Sequence, residues 1–222
     1  RSLRIQGTQI SDAGLEELEE ALPKCVITGN ERNYDRQAAL WALEAGGEVE
    51  LDSGSIIKAS QIPRGECKII KIDLSERSGF DRDGLEKLLP HCEHLRTLNL
   101  RDAGVDDGDL VAISRMPGLE RLYLGRNRIS DRGVAQLSPI HTLTLLDLQE
   151  TRIGDAGLSE VAKLTLLARL YLGGTRVTDS GIGRLGSLRG LQSLELMSTS
   201  ISDSGVSALS SLNNLRSLDM RG

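Results

Sequence analysis

The sequence has very few aromatic residues: one tryptophan, three tyrosines and one phenylalanine occur among 222 residues. Aromatic rings usually supply large units of buried area in a globular core. Their scarcity excludes an ordinary aromatic core, so smaller and more regular side chains must bury the apolar surface. Leucine is the candidate, with 38 copies. An apolar fraction of 39% also excludes a disordered chain, so we expect the sequence to fold.

The chain also lacks an excess of positive charge and any long apolar run. Its formal net charge is −5, from 27 basic and 32 acidic side chains, and no dense cluster of lysine and arginine occurs. We therefore expect no nucleic acid as a partner and no anionic lipid surface. No apolar run approaches the length of about 20 residues that a membrane span needs, so we expect no membrane partner.

Cysteine is scarce and odd in number, and Cys25, Cys67 and Cys92 lack the C-x-x-C spacing of metal and redox motifs. This pattern fits a reducing compartment better than a disulfide scaffold, and it predicts a cytoplasmic location. The first residue is Arg1 rather than methionine, and Gly222 follows a run that looks interrupted. We therefore expect the sequence to be a piece of a longer protein.

The sequence does contain a repeat of 24 residues. The triplet Leu119, Leu122 and Leu124 recurs three times at that interval, and a similar triplet precedes it at Leu95. Each of the last four triplets is followed at fixed positions by a small polar residue, an aliphatic residue, an aspartate and a glycine. In the first of these four units they are Asn127, Ile129, Asp131 and Gly133.

These columns resemble the leucine-rich-repeat family, and the Asp-x-Gly-Leu pattern is similar to that of bacterial repeat proteins whose arrays accompany signalling or other modular domains. The Leu-x-Leu alternation itself indicates a short strand with one buried face. Gly157, Leu158, Val161 and Leu164 have helical spacing. Each unit is therefore a strand and a helix whose apolar faces only neighbouring units can bury. Stacking predicts an α/β solenoid, the leucine-rich-repeat horseshoe, with a parallel concave sheet and convex helices.

The repeat divides the chain into three segments. Residues 1–28 form an orthodox first repeat, residues 29–70 are degenerate repeats or an internal cap, and residues 71–222 form the regular array, truncated at the C-terminus. One strand position recurs from Ile5 to Met220 at intervals of 22 to 26 residues, which favours one continuous stack of ten strands. Alternatively, an upstream array ends near Thr28 and residues 29–70 cap a second array.

The polar columns are interpreted as structural. An aspartate just before a helical turn accepts backbone N–H groups as an N-cap, and one carboxylate per repeat supplies too few oxygens for Ca²⁺. The glycine column indicates backbone freedom at a tight entry to the helix. The asparagine and threonine column is expected to hydrogen-bond the main chain at the bend after each strand.

No constellation for catalysis or cofactor binding is present. His91, Cys92, Glu93 and His94 form the single cluster with metal-ligand chemistry, but a structural zinc site needs four ligands from well-spaced pairs, so a solvated loop is the better interpretation. No phosphate-binding loop or nucleophile elbow occurs in a suitable context. The sequence therefore predicts no enzyme, no cofactor and no metal.

The residues between the strand leucines are expected on the concave face, because successive strand residues point to opposite sides. Tyr123 and Tyr171 lie there, about 10 Å apart across two strand spacings. Exposed tyrosine and arginine are enriched at interface hot spots, although a tyrosine on a strand can also simply cover its neighbours. The predicted partner-binding residues are Asn99, Arg101, Arg121, Tyr123, Arg126, Asp147, Arg169, Tyr171 and Glu195.

This face, together with the family resemblance, predicts a protein-protein interaction module: a scaffold that binds a protein or peptide on its concave face within a larger multidomain protein. The alternative is a structural spacer or the regulatory arm of an adjoining signalling enzyme. The strand at Met220 is followed by no helix, so we also expect self-association through the uncapped C-terminal edge.

Overall fold

The computed structural model describes residues 2–5, 10, 12–28, 34–56, 58–63 and 67–221. The chain divides into two compact units, Arg1–Tyr34 and Asp35–Gly222. The first unit contains strands β1 (Ser2–Arg4) and β2 (Val26–Thr28), which pair in parallel, and helix α1 (Asp12–Ala21).

The second unit contains a sheet of nine strands among the described residues. The strands are β3 (Glu48–Leu51), β4 (Gly54–Ile56), β5 (Ile69–Asp73), β6 (Thr97–Asn99), β7 (Arg121–Tyr123), β8 (Leu145–Asp147), β9 (Arg169–Tyr171), β10 (Ser193–Glu195) and β11 (Ser217–Asp219). The α-helices are α2 (Tyr34–Glu44), α3 (Asp109–Ile113), α4 (Asp131–Ala135), α5 (Asp155–Val161), α6 (Asp179–Ile182) and α7 (Asp203–Ala208). Single 3-10 turns lie at Ala59–Gln61, Leu89–His91, Gly183–Ser187 and Leu209–Ser211, and a π-helical turn lies at Gly84–Leu88.

Strands β5 to β11 pair in parallel, and each residue stands opposite the equivalent residue of the next repeat. The central leucines stand opposite one another from strand to strand, and Leu98, Leu122, Leu146 and Leu170 are fully buried. They form the core between the sheet and the helices, and consecutive helices from α3 to α7 pack against one another. The predicted α/β solenoid with a parallel sheet is confirmed.

The prediction of one continuous stack of ten parallel strands is wrong. Strand β3 runs antiparallel to β5, and β4 runs antiparallel to β3, whereas β1 and β2 form a sheet of their own. The chain reverses in a turn at Asp52 and Ser53, after which Gly54 adopts a φ of 128°. A spacing of 23 or 24 residues between strands carries no information about their direction, so this hairpin escaped the sequence pattern.

The aspartate column ties each repeat to the next. Each of four carboxylates accepts a hydrogen bond from the backbone N–H of the residue 23 positions later. The pairs are Asp107 with Ser130 (2.8 Å), Asp131 with Gly154 (2.7 Å), Asp155 with Thr178 (2.8 Å) and Asp179 with Ser202 (2.8 Å). The predicted N-cap role is wrong: the residue before the aspartate caps helices α4, α6 and α7 through its hydroxyl.

Glycine recurs in its column because the aspartates just described, which we call the aspartate ladder, leave no room for a side chain there. A Cβ atom on Gly133 would lie 2.3 Å from Oδ1 of Asp107, and one on Gly157 would lie 2.5 Å from Oδ1 of Asp131. Neither glycine has a positive φ. The expectation that these glycines supply backbone freedom is therefore wrong, and the space above each one is filled by the carboxylate of the preceding repeat.

The asparagine and threonine column has its predicted role. Thr151 and Thr175 each donate a hydrogen bond of 2.6 Å to the carbonyl three residues earlier. Asn127 does more, because its Nδ2 donates to the carbonyl oxygens of Leu100 (2.7 Å) and Leu124 (2.9 Å) while its Oδ1 accepts from the backbone of Val105 (3.1 Å). This buried amide therefore joins two repeats.

Asp179, the last of these four aspartates, predicts a specific acid sensitivity. Hydrogen bonds from the hydroxyl and the backbone N–H of Ser202 lower the pKa of Asp179. A carboxyl group whose pKa is lower in the folded state stabilises the fold above its unfolded pKa of about 3.9, and this stabilisation is lost as the pH falls through the folded value. We expect Asp179→Asn to reduce the fall in melting temperature below about pH 4, measured by circular dichroism.

The matched control is Asp203→Asn, which changes the same column one repeat later, where the carboxylate accepts no hydrogen bond from the residues that the structure describes. We expect this control to keep the wild-type acid profile. An identical profile for Asp179→Asn and the wild type would show that the bonds of Asp179 to Ser202 do not contribute to acid stability.

Candidate functional site

The side chains that flank each central leucine form the opposite face of the sheet, which we call the sheet face. On strands β6 to β10 it comprises Thr97, Asn99, Arg121, Tyr123, Leu145, Asp147, Arg169, Tyr171, Ser193 and Glu195. Because the leucines between them are buried, these residues point away from the core. The helices lie on the other side of the leucines, so the sheet face is the broad surface that the repeat leaves uncovered.

Two strands of the sheet face carry the same sequence. Arg-Leu-Tyr-Leu-Gly occurs at 121–125 and again at 169–173. Strand β8 lies between them, with Leu145 opposite Arg121 and Arg169, and Asp147 opposite both tyrosines. We call Arg121 with Tyr123, and Arg169 with Tyr171, the Arg-Tyr pairs; two strand spacings put them about 9.6 Å apart.

The Arg-Tyr pairs form the outer layer of this region, and the residues of β8 form its floor. Both arginines are exposed and both tyrosines are half-buried, whereas Leu145 and Asp147 keep only 2% and 3% of their surface. Asp147 was predicted as a partner-binding residue. Its burial corrects that prediction, because a docking partner cannot reach the carboxylate.

Asp147 instead anchors a polar network that crosses the sheet. Nη1 of Arg101 donates to Oδ2 of Asp147 and to Oε1 of Gln149, each at 2.8 Å. The amide of Gln149 in turn donates to Glu195. These long side chains come from every second strand, and glycine stands on the strands between. A Cβ on Gly125 would lie 2.5 Å from Nη1 of Arg101. The lack of a side chain at Gly125 therefore leaves room for Arg101 to reach Asp147.

Burial shifts two ionisable groups on the sheet face. It raises the pKa of Asp147, although Arg101 and the backbone N–H of Gln149 act in the opposite direction. It also raises the pKa of Tyr171, with nearby Arg169 opposing. The phenol of Tyr171 is therefore protonated at neutral pH and can donate a hydrogen bond to a ligand.

The predicted arginines differ in whether they are already paired. Arg101 bonds Asp147, and Nε of Arg126 donates to Oε1 of Glu150 at 2.9 Å on the rim of the sheet face. Nε of Arg121 donates to the hydroxyl of Thr97 at 2.8 Å. Within the described part of the chain, Arg121 and Arg169 have no carboxylate at ion-pair distance. They are the cations of this face that remain available.

Two further predicted residues are engaged within the sheet face. Nδ2 of Asn99 donates to Oδ2 of Asp73 at 3.0 Å, and its Oδ1 accepts from the backbone of Arg101 at 3.1 Å. Burial alone would raise the pKa of Asp73, but hydrogen bonds from the hydroxyl and backbone N–H of Ser75 and from the Asn99 amide lower it. Glu195 is half-buried under its bond from Gln149.

A cleft of about 450 Å³ lies at the hairpin end of the sheet face. It is lined by Glu50, Ile70, Lys71, Asp73, Thr97, Asn99, Arg121 and Tyr123. The sequence pattern put Asn99, Arg121 and Tyr123 on this surface but did not identify Lys71 as part of it. The missing information is the antiparallel pairing of β3 with β5, which sets Glu50 opposite Lys71.

Across residues 2–5, 10, 12–28, 34–56, 58–63 and 67–221, no three histidine, cysteine, aspartate or glutamate side chains gather closely enough to hold a metal ion. In the same part of the chain, no helix has both the length and the apolar character needed to cross a membrane.

Comparisons with known proteins add the following. The family model described as Leucine Rich repeat matches residues 91–114, 117–138, 140–162 and 189–210. No curated protein matches the chain. Among solved structures, an internalin from Listeria monocytogenes is 21% identical over 61% of this chain and 44% of that one, with a TM-score of 0.45. An internalin C2 from the same organism is 20% identical over 68% and 80%, with a TM-score of 0.44. The chain thus spans less than half of the first of these structures.

Proposed function

The chain belongs to the leucine-rich-repeat family, and on that premise we propose that it is a protein-interaction module whose sheet face binds a protein or peptide partner. In this proposal the chain binds and catalyses no reaction, and it acts within a larger protein in a reducing compartment. Stacked repeats present an extended surface of this kind to partners. The spacer and the regulatory arm remain the alternatives, and neither requires the sheet face.

The observation that carries the proposal is the duplicated Arg-Tyr pair. Tyrosine and arginine are the residues over-represented at interface hot spots, and here two of each stand on a face that the repeat does not need for its core. The arginines have no carboxylate partner within the described residues. The tyrosines also stand in register on either side of Asp147, which is buried, so packing against the sheet and binding a partner are compatible roles for the same rings.

Removing both rings tests the proposal. We expect Tyr123→Ala/Tyr171→Ala to reduce partner capture from an extract of the source cells by about 100-fold, as the loss of two hot-spot side chains implies. Capture is measured by quantitative mass spectrometry of proteins retained on immobilised chain. The matched control is Val111→Ala/Val206→Ala, which trims two exposed side chains on helices α3 and α7 and should leave capture unchanged.

Because the tyrosines stand beside the buried Asp147, their removal can also affect folding, and a second variant separates binding from folding. Arg121→Glu/Arg169→Glu changes two exposed side chains and should keep the melting temperature. Equal capture by the wild type, the tyrosine variant and this arginine variant would refute the proposal and leave the spacer alternative.

A further inference from the structure

Some basic side chains on and beside the sheet face form ion pairs with neighbouring carboxylates, and others do not. Lys71 pairs with Asp73 (3.4 Å), Arg101 with Asp147 (2.8 Å) and Arg126 with Glu150 (2.9 Å). In the described residues, the two arginines of the Arg-Tyr pairs have no such partner. Exposed guanidinium groups are well suited to bind carboxylates, because their donors form a planar fork. The chemistry of this region therefore favours a ligand with two negative charges.

The spacing of the arginines restricts the shape of that ligand. Arg121 and Arg169 are in register on strands two apart, which corresponds to about 9.6 Å. In an extended strand, side chains on one face repeat every 6.7 Å or so, which does not match. A polyproline II helix returns to the same face after three residues and about 9.3 Å. An α-helix does so after seven residues and about 10.5 Å.

The surface between the arginines favours the polyproline II helix over the α-helix. An amphipathic helix docks its apolar face in a hydrophobic groove. The large apolar side chains that are exposed in the described residues are Ile10, Leu22, Val111, Leu166, Val206 and Leu218, and none of them lies on β6 to β10. Polyproline II segments instead dock on aromatic rings, and Tyr123 and Tyr171 repeat at the same interval as the arginines.

Neighbouring acids limit where an anionic segment can lie. Glu195 is the residue opposite Tyr171 on the next strand, and Asp73 lies two strands from Tyr123 on the other side. A segment shifted by one strand toward either would bring its carboxylates beside these groups. Repulsion at the borders therefore fixes the register, because specificity arises from unfavourable contacts as much as from favourable ones.

We propose that the sheet face binds an acidic, proline-rich segment in the polyproline II conformation, with two carboxylates three residues apart over Arg121 and Arg169 and prolines on Tyr123 and Tyr171. This inference rests on the proposed function and gives its partner a chemical class. The segment runs across the strands.

Synthetic peptides test the inference without knowledge of the natural partner. The probes are fluorescein-labelled polyproline peptides with two glutamates three residues apart, two adjacent glutamates, or two lysines three residues apart. Fluorescence anisotropy at low salt should show binding of the first peptide about tenfold tighter than the second and no binding of the third. Added salt should weaken the first interaction.

Paired charge reversals locate the binding. Arg121→Glu/Arg169→Glu should abolish binding of the peptide with glutamates three residues apart. Arg132→Glu/Arg184→Glu makes the same change in net charge at exposed positions of helix α4 and the Gly183–Ser187 turn and should leave binding unchanged. Equal affinity for the first two peptides, equal loss in both variants, or no binding at about 1 mM peptide would each overturn the inference.

The outcomes also separate this inference from the proposed function. If the tyrosine variant loses its partner while the arginine variant captures it normally and no acidic peptide binds, the sheet face is an interaction surface for a different chemistry. If neither variant affects capture, both proposals fail.

Discussion

Replacing Gly133 with alanine is expected to lower the free energy of unfolding by about 3 kcal/mol, the upper range for overpacking a filled site. The added Cβ would lie 2.3 Å from Oδ1 of Asp107, and this carboxylate also holds the backbone and hydroxyl of Ser130 at 2.8 and 2.5 Å. The clash must therefore displace a group that links two repeats. Urea unfolding followed by circular dichroism measures the change.

Two controls identify the cause of that loss. Gly154→Ala adds the same atom where the nearest neighbour lies 3.6 Å away, and we expect a change within about 0.5 kcal/mol. In the Asp107→Ala background, Gly133→Ala should cost about 1 kcal/mol, because the obstructing oxygen is gone. The same cost for Gly133→Ala in both backgrounds would show that the aspartate is not what requires glycine.

The second large effect is expected from Asn127→Ala, at about 3 to 4 kcal/mol. The variant leaves the N–H of Val105 and the carbonyl oxygens of Leu100 and Leu124 without their amide partner. A buried polar group that loses its partner costs about 1 to 3 kcal/mol, and several are affected at once. Urea unfolding again provides the measurement.

Threonine provides the matched comparison, because it occupies this column in the next three repeats, at Thr151, Thr175 and Thr199. Thr175 bonds only the carbonyl of Leu172, so Thr175→Ala should cost about 1 kcal/mol. Asn127→Thr should fall between the two alanine variants. If Asn127→Ala and Thr175→Ala destabilise the chain equally, the bonds of Asn127 between repeats contribute nothing to stability.

The regular part of the fold was accessible from the sequence because leucine spacing reports directly on burial. Leu98, Leu122 and Leu146 stand in one buried row, as their interval of 24 residues predicts. The direction of β3 was not accessible, because a turn at Asp52 and Ser53 reverses the chain without changing the spacing of apolar residues. Helix α2 (Tyr34–Glu44) also has a sequence signal for its end, because Gly46 and Gly47 follow it and Gly46 adopts a φ of 77°.

The polar columns show a second limit of periodic sequences. The recurrence of a residue type at one position of the repeat does not show whether its hydrogen-bond partner lies in the same repeat or in the next one. Asp131 bonds Gly154, 23 residues away, where an N-cap within its own repeat was expected. Asp147 lies on the sheet face as expected, but its pairing escaped the sequence for a related reason: Arg101 reaches it across Gly125 from two strands away, and this crossing depends on how two repeats combine.

The sheet face as the interaction surface is tested most directly by photo-crosslinking in cells that make the protein. One variant carries p-benzoylphenylalanine in place of Tyr171 on the sheet face, and a second carries it in place of Val206, an exposed residue of α7. We expect a light-dependent adduct with a partner protein from position 171 and none from position 206. An adduct from position 206 with none from position 171 would contradict the assignment of the sheet face.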